Sequence, residues 1–243
     1  SFDSLNRMKT VMSPDNEVTE YFYNAVGNRD SISHANGTSV GYEYDNLNRL
    51  TKLTNYAPDA SVISSFTYEM NNTGIRTAVT EADGSRVDYN YDDLYRLTGE
   101  TRTGSNAYSI TYTYDNVGNR LTKDHDGIIT DYNYNNRDQV ISETNNSETI
   151  TYTYDASGRT ETKTDNSGVT TYGWADNDRM VSVVLPSGTM TYTHDANGNK
   201  VSMNDGVETK NYLVDMIQPY SQVVAEYENT NNLAAEYVYG LER

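Results

Sequence analysis

His34, His125 and His194 are the side chains of this sequence best suited to proton transfer near neutral pH, and they stand at unrelated positions along it. A Ser-His-Asp site assembles in space rather than in sequence, and nothing in the spacing of these three residues points to one. Asp124-His125-Asp126-Gly127 looks like part of a calcium loop. It lacks the third acid and the closing Glu of an EF-hand, so an Asp-Gly hairpin turn accounts for it better. Without cysteine the chain has no thiol nucleophile, no thiolate metal site and no disulfide. The expectation is a chain with no enzymatic activity, no cofactor and no metal. Its 23 tyrosines and 35 acids leave one other chemistry open. Aromatic platforms beside carboxylates suit sugars, and a surface module that holds glycans on exposed tyrosines is the second reading of the chain.

Charge and hydropathy narrow the partners. Lys and Arg number 18 against 35 acids, a formal charge of −17, which opposes binding to a phosphate backbone. No stretch approaches the length of an apolar membrane span and no signal peptide opens the chain, so neither nucleic acid nor membrane insertion is expected. The absence of cysteine fits a reducing compartment and equally a cysteine-free bacterial surface protein. Leu, Ile, Val and Phe make up about 17% of the chain, which with this charge would indicate disorder. The tyrosine content opposes that reading, and the placement of the tyrosines decides it.

They are periodic. A frame of aromatic–x–aromatic–acid, a short turn and a base recurs along the chain. Its anchor, the second aromatic position, falls at Phe2, Tyr23, Tyr44, Tyr68, Tyr91, Tyr114, Tyr134, Tyr154, Trp174 and His194, with degenerate copies at Val214 and Tyr239. Inside a repeat the period drops to two: Ile150, Tyr152 and Tyr154 alternate with Thr149, Thr151 and Thr153. Alternation of β-branched and aromatic residues predicts strands with an aromatic face and a threonine face. Two turns punctuate each repeat. The first follows the anchor, as in Asp115-Asn116-Val117-Gly118-Asn119-Arg120, and the second uses Asn-Gly, Asp-Gly or Ser-Gly. The fold expected is all-β: tandem β-hairpins in a long antiparallel strip, one array of about eleven repeats over residues 1–243. Residues 212–243 form its degenerate end.

A longer period sits in the first turns. Every second one contains glycine (Gly27, Gly74, Gly118, Gly158, Gly198) and those between contain none. This predicts a structural unit of two repeats. Leu5, Leu47 and Leu94 occur in the glycine-free set, and the expectation is that these turns tuck against their neighbours.

The string Tyr-Asp-x-x-Gly-Asn-Arg-Leu at Tyr114–Leu121 resembles the signature of YD repeats, also called Rhs repeats, and ten tandem copies carry the resemblance along the whole chain. Tyr212-Leu213-Val214-Asp215 through Glu236–Arg243 is similar to the segment that leads into the Rhs-associated core, a domain the sequence does not contain. The resemblance implies a β-strip that spirals into a hollow shell around a C-terminal toxin. It also implies a secreted or bacterial cell-surface setting, and partners in the remaining repeats, the core domain and the enclosed toxin. The family's autoproteolytic Asp-Pro motif is absent, since the four prolines follow Ser13, Ala57, Leu185 and Gln218. Self-cleavage is therefore not carried over.

Each recurring position then has a role to play. Tyr23, Tyr44, Tyr68, Tyr91, Tyr114, Tyr134, Tyr154, Trp174 and His194 are expected to stack across neighbouring hairpins as a ladder that replaces a Leu/Val core. The acid and the base of the first turn are read as turn architecture: Asp45 with Arg49, Asp92 with Arg96, Asp115 with Arg120, Asp155 with Arg159. Some 22 strands at about 4.8 Å make a strip roughly 100 Å long that strand twist must coil.

Overall fold

The computed structural model describes residues 1–217, 220–229 and 232–240, and among these every regular element is a strand. Gln218-Pro219 and the terminal Leu241-Glu242-Arg243, which belong to the degenerate end of the array, lie outside the described residues. The strands form one antiparallel sheet of 22. By contacts the chain divides into two compact units.

The first unit comprises Ser1–Thr113, Lys123–Gly127 and residues 239–240. It holds β1 (Thr10–Met12), β2 (Val18–Tyr23), β3 (Arg29–Ser33), β4 (Ser39–Tyr44), β5 (Leu50–Tyr56), β6 (Val62–Met70), β7 (Arg76–Glu81), β8 (Arg86–Tyr91) and β9 (Leu97–Thr103), with β10 (Tyr108–Tyr114) at its border. From β1 to β10 each strand pairs antiparallel with its chain neighbours, the topology that short hairpin turns dictate. Ile32, Ala78, Val79, Val87 and Ile110 are its buried apolar side chains, together with Tyr21.

The second unit comprises Tyr114–Thr122 and Ile128–Val238. After β11 (Arg120–His125), which spans the border, come β12 (Ile128–Tyr134), β13 (Val140–Thr144), β14 (Thr149–Tyr154), β15 (Thr160–Asp165), β16 (Gly168–Trp174) and β17 (Met180–Leu185). They are followed by β18 (Gly188–His194), β19 (Lys200–Asn204), β20 (Thr209–Asp215), β21 (Gln222–Glu228) and β22 (Asn232–Glu236). From β12 onward this is again a meander.

Burial follows the predicted alternation. In β14 the threonines are exposed while Ile150, Tyr152 and Tyr154 are half-buried, and β10 and β18 repeat the pattern. Opposite residues share a face, so Thr153, Thr162 and Thr171 form one row, Thr153 Oγ1 lying 2.7 Å from Thr162 Oγ1. The second turns take their positive φ where the dipeptides place it: Gly37 at 84°, Gly84 at 83°, and Asp126-Gly127 at 52° and 85°.

Candidate functional site

The feature that the ten regular repeats share is the first turn. In Asp45-Asn46-Leu47-Asn48-Arg49 the Asn48 amide donates to the Asp45 carbonyl at 3.0 Å and the Asp45 amide to the Arg49 carbonyl at 3.0 Å. Asn48 takes a left-handed φ of 61°, and the ladder shifts register between Glu43 and Tyr44. The Asp45 carboxylate fills the turn: Oδ1 accepts the amides of Leu47 (2.8 Å) and Arg49 (3.0 Å), and Oδ2 accepts Arg49 Nε at 2.6 Å. Asp3 with Arg7, Asp92 with Arg96, and Asp155 with Arg159 repeat the clip. The closing arginine's amide, with its guanidinium, holds the Asp3, Asp45 and Asp92 carboxyls below the usual carboxylate range. At Asp155 burial pushes upward and is outweighed by the same two donors.

Asp115 and Arg120 depart from that clip. The fourth residue after Asp115 is Asn119, whose Nδ2 donates to Asp115 Oδ2 at 3.0 Å, while the amides of Val117, Gly118 and Asn119 share Oδ1. Arg120 stands one residue later, where its guanidinium lies 4.2 Å from the centre of the Tyr132 ring. Arg29 over Tyr42, Arg76 over Tyr68, and Lys200 between Tyr192 and Tyr212 do the same. The bases of the first turns thus occupy two positions, not one, and at the clip position Arg7 and Arg159 also face the rings of Tyr23 and Trp174.

The anchors stand on every second strand, about 10 Å apart along the sheet. They are joined through backbone. The Tyr23, Tyr91, Tyr134 and Tyr154 hydroxyls donate to the carbonyls of Met8, Arg76, Arg120 and Val140, and Trp174 Nε1 to that of Thr160, at 2.6–2.9 Å. Each acceptor is the residue immediately after the preceding first turn. Tyr44, Tyr114 and His194 occupy the same strand-end position. Tyr68 does not: the next turn opens at Asn71, and Met70 stands at the strand end, with Tyr68 two residues inside β6. Glu69 pairs bidentately with Arg86 across the sheet instead of cupping a turn.

Adjacent first turns are also laced sideways. The closing residue of a glycine-free turn donates to the backbone of the glycine turn that follows: Arg49 to the Asn71 carbonyl at 3.2 Å, Gln139 to that of Gly158 at 3.0 Å, Arg179 to that of Asp195 at 3.5 Å. In the other set of gaps the left-handed residue is the acceptor. Asn48 Oδ1 takes Asn28 Nδ2 at 2.8 Å, Asp138 takes Asn119 at 2.9 Å and Asp178 takes Arg159 at 2.9 Å. This accounts for the glycine at two of the five alternating turns. Both kinds of turn hold a positive φ at the same position, but where it is Gly158 or Gly198 the space of a side chain is filled by Gln139 or Arg179, whose guanidinium nitrogen would lie 1.7 Å from a Cβ at Gly198. Arg7 and Arg49 line Gly27 and Gly74 at 3.8 and 3.9 Å, and Gly118 has open space. The glycine-free turns do not tuck their leucines away: Leu5, Leu47 and Leu94 are 69–71% exposed.

His125 packs edge-on to Tyr108, with its Nε2 3.7 Å from Asp126. The carboxylates beside it serve the hairpin: Asp124 accepts the Gly127 amide at 2.8 Å and Asp126 the Ser109 amide at 2.7 Å. Among the described residues no group of three His, Cys, Asp or Glu is placed to hold a metal. Shallow grooves lie between neighbouring turns. One of about 570 Å³ is lined by Asn24, Asn28, Tyr42, Asp45 and Asn48, and another of about 420 Å³ by Asn135, Gln139, Tyr152 and Asp155. Sequence reasoning missed Asn28, Asn119 and Gln139 as partners. Their signal was present: each is the fourth residue after the Asp or Asn that opens its turn.

The RHS Repeat family model matches residues 23–61 and 154–190. Each match opens on an anchor and spans a glycine turn followed by a glycine-free one, the two-repeat unit described above. No curated protein matches the sequence. Among solved structures, TcdB2-TccC3-TEV matches with a TM-score of 0.61 at 13% identity over 97% of this chain. TcdB2-TccC3-Cdc42 matches with a TM-score of 0.57 at 14% identity over 91%. This chain spans only 17% and 15% of the length of those chains, and at such identity the likeness is one of fold. The two matched segments carry the Rhs repeat, and the same repeat frame runs between and beyond them.

Proposed function

We propose that this chain is a non-enzymatic wall segment of a larger Rhs-repeat protein, a strip of hairpins that helps to enclose a C-terminal toxin or effector outside the producing cell. The observation that carries the reading is the lacing of consecutive first turns. Side chains that could do chemistry are committed instead to holding one hairpin to the next, and a wall requires that continuity. The partners are the remaining repeats, a core domain beyond the degenerate end and the enclosed cargo. The glycan reading draws less support, because rings it would use for stacking carry cations: Arg7 lies 4.3 Å from the Tyr23 ring centre and Arg120 4.2 Å from that of Tyr132.

Electron microscopy of the parent protein tests the wall. A closed lumen walled by this segment is the expected result, and an extended rod without a lumen would contradict it. A glycan array probed with the chain, expected to be blank, tests the alternative, which hits accompanied by a change in Trp174 fluorescence would favour.

A further inference from the structure

Leu5, Val26, Leu47 and Leu94 stand at the tips of four first turns in the unit that begins at Ser1, each 69–71% exposed. The turn does not require an apolar tip. From residue 135 onward the same position holds Arg137, Ser157, Asn177 and Asn197 in turns of the same hydrogen bonding. Evenly spaced apolar side chains that serve neither their turn nor a core mark a contact surface.

Three features say what covers it. First turns recur every second strand, about 10 Å apart, so a partner that meets all the tips must share that pitch. The chain carries a charge of −17, yet at this rim Asp3, Asp45 and Asp92 are each bonded to Arg7, Arg49 and Arg96, so the acids that open these turns add no net charge to it. Within this unit the tips read nearly the same in both directions, Leu5, Val26, Leu47, Thr73, Leu94, and Val117, 73% exposed, follows in the next first turn. A two-fold axis at Leu47 brings Leu5 onto Leu94 of the second copy and Val26 onto the near-isosteric Thr73, while Leu47 meets itself.

We propose that this rim is the edge along which a second copy of the repeat array docks, tip to tip, about an axis at Leu47. Five tips a side cover less than the roughly 800 Å² per partner of a standard interface, so the association is weak and reversible. The inference rests on the rim alone and stands or falls separately from the enclosing role.

Sedimentation equilibrium of the 243-residue chain, together with cysteine trapping, tests it. The chain should dimerise reversibly, and the triple substitution Leu5→Asn, Leu47→Asn, Leu94→Asn should weaken dimerisation about tenfold or more with an unchanged circular dichroism spectrum. Because the chain has no cysteine, Leu47→Cys should form a disulfide-linked dimer under mild oxidation, whereas Val207→Cys, at a site 91% exposed in a second turn, should not. A chain that stays monomeric up to about 1 mM, a triple variant that dimerises as before, or equal trapping at the two cysteines would each overturn the proposal.

Discussion

The turns 45–49 and 115–119 share a backbone and divide its labour differently. In the first, Asp45 is clipped by Arg49 and the left-handed residue is Asn48. In the second, Asn119 takes the clip, glycine takes the left-handed position, and the base moves one residue onto the strand to cover a tyrosine. Gln139 and Arg179 reach sideways over Gly158 and Gly198, and a glycine turn gains sideways bonds from an Asn or Asp on its other side. At these turns alternation is a consequence of contact between neighbours, and the two-repeat unit is its smallest closed form.

Substitutions at the left-handed position probe this difference most strongly. Gly198→Val combines a φ of 92° with a clash against Arg179 and should cost about 2–4 kcal/mol in urea denaturation. Asn48→Gly, its mirror in the other class, should stay within about 1 kcal/mol, since glycine accepts the conformation and only the Asn28 bond is lost. Equal losses at the two sites would remove the distinction.

The anchors come next. Tyr134→Ala should destabilise by about 2–3 kcal/mol, while Thr153→Ala on the exposed face should remain within about 0.5 kcal/mol. Tyr154→Phe isolates the hydroxyl bond to Val140, 2.6 Å long, and should cost about 1 kcal/mol by the same measurement. A Phe variant as stable as the parent would leave the ring alone as the ladder.

Acid should bring out the clips. The Asp3, Asp45, Asp92 and Asp155 carboxyls are all held below their ordinary range by amides and guanidinium groups in the folded chain. The stability they add is present above the unfolded carboxylate value near pH 4 and is lost as pH falls through their lower folded values. Thermal melts from pH 6 to 2 should show Tm falling below about pH 4. Asp45→Asn should lower Tm at neutral pH and flatten that fall, the smallest effect of the series.

Most of the fold was legible because it is local. Period-two alternation in Thr149–Tyr154 and Asp-Gly dipeptides such as Asp126-Gly127 set strand and turn with little help from distant residues. The misread positions depend on turn registration and side-chain placement that the repeat frame does not encode. Phe66-Thr67-Tyr68-Glu69 matches the aromatic–x–aromatic–acid frame, but where the strand ends is fixed by the turn that Asn71 opens, leaving Met70 at the anchor position. Arg120 counts as the same base as Arg49 until the side chains are placed, when Asn119 proves to hold the clip. The exposure of Leu47 is likewise invisible in sequence, since an apolar residue beside a turn reads as buried.

The central claim is that each hairpin is held by its neighbours through anchor and turn. Hydrogen–deuterium exchange on Tyr134→Ala tests it most directly. The account predicts lost protection that spreads from β12 into β11, β13 and β14 while β1 to β5 keep theirs. Loss confined to β12, or uniform loss along the whole sheet, would contradict it.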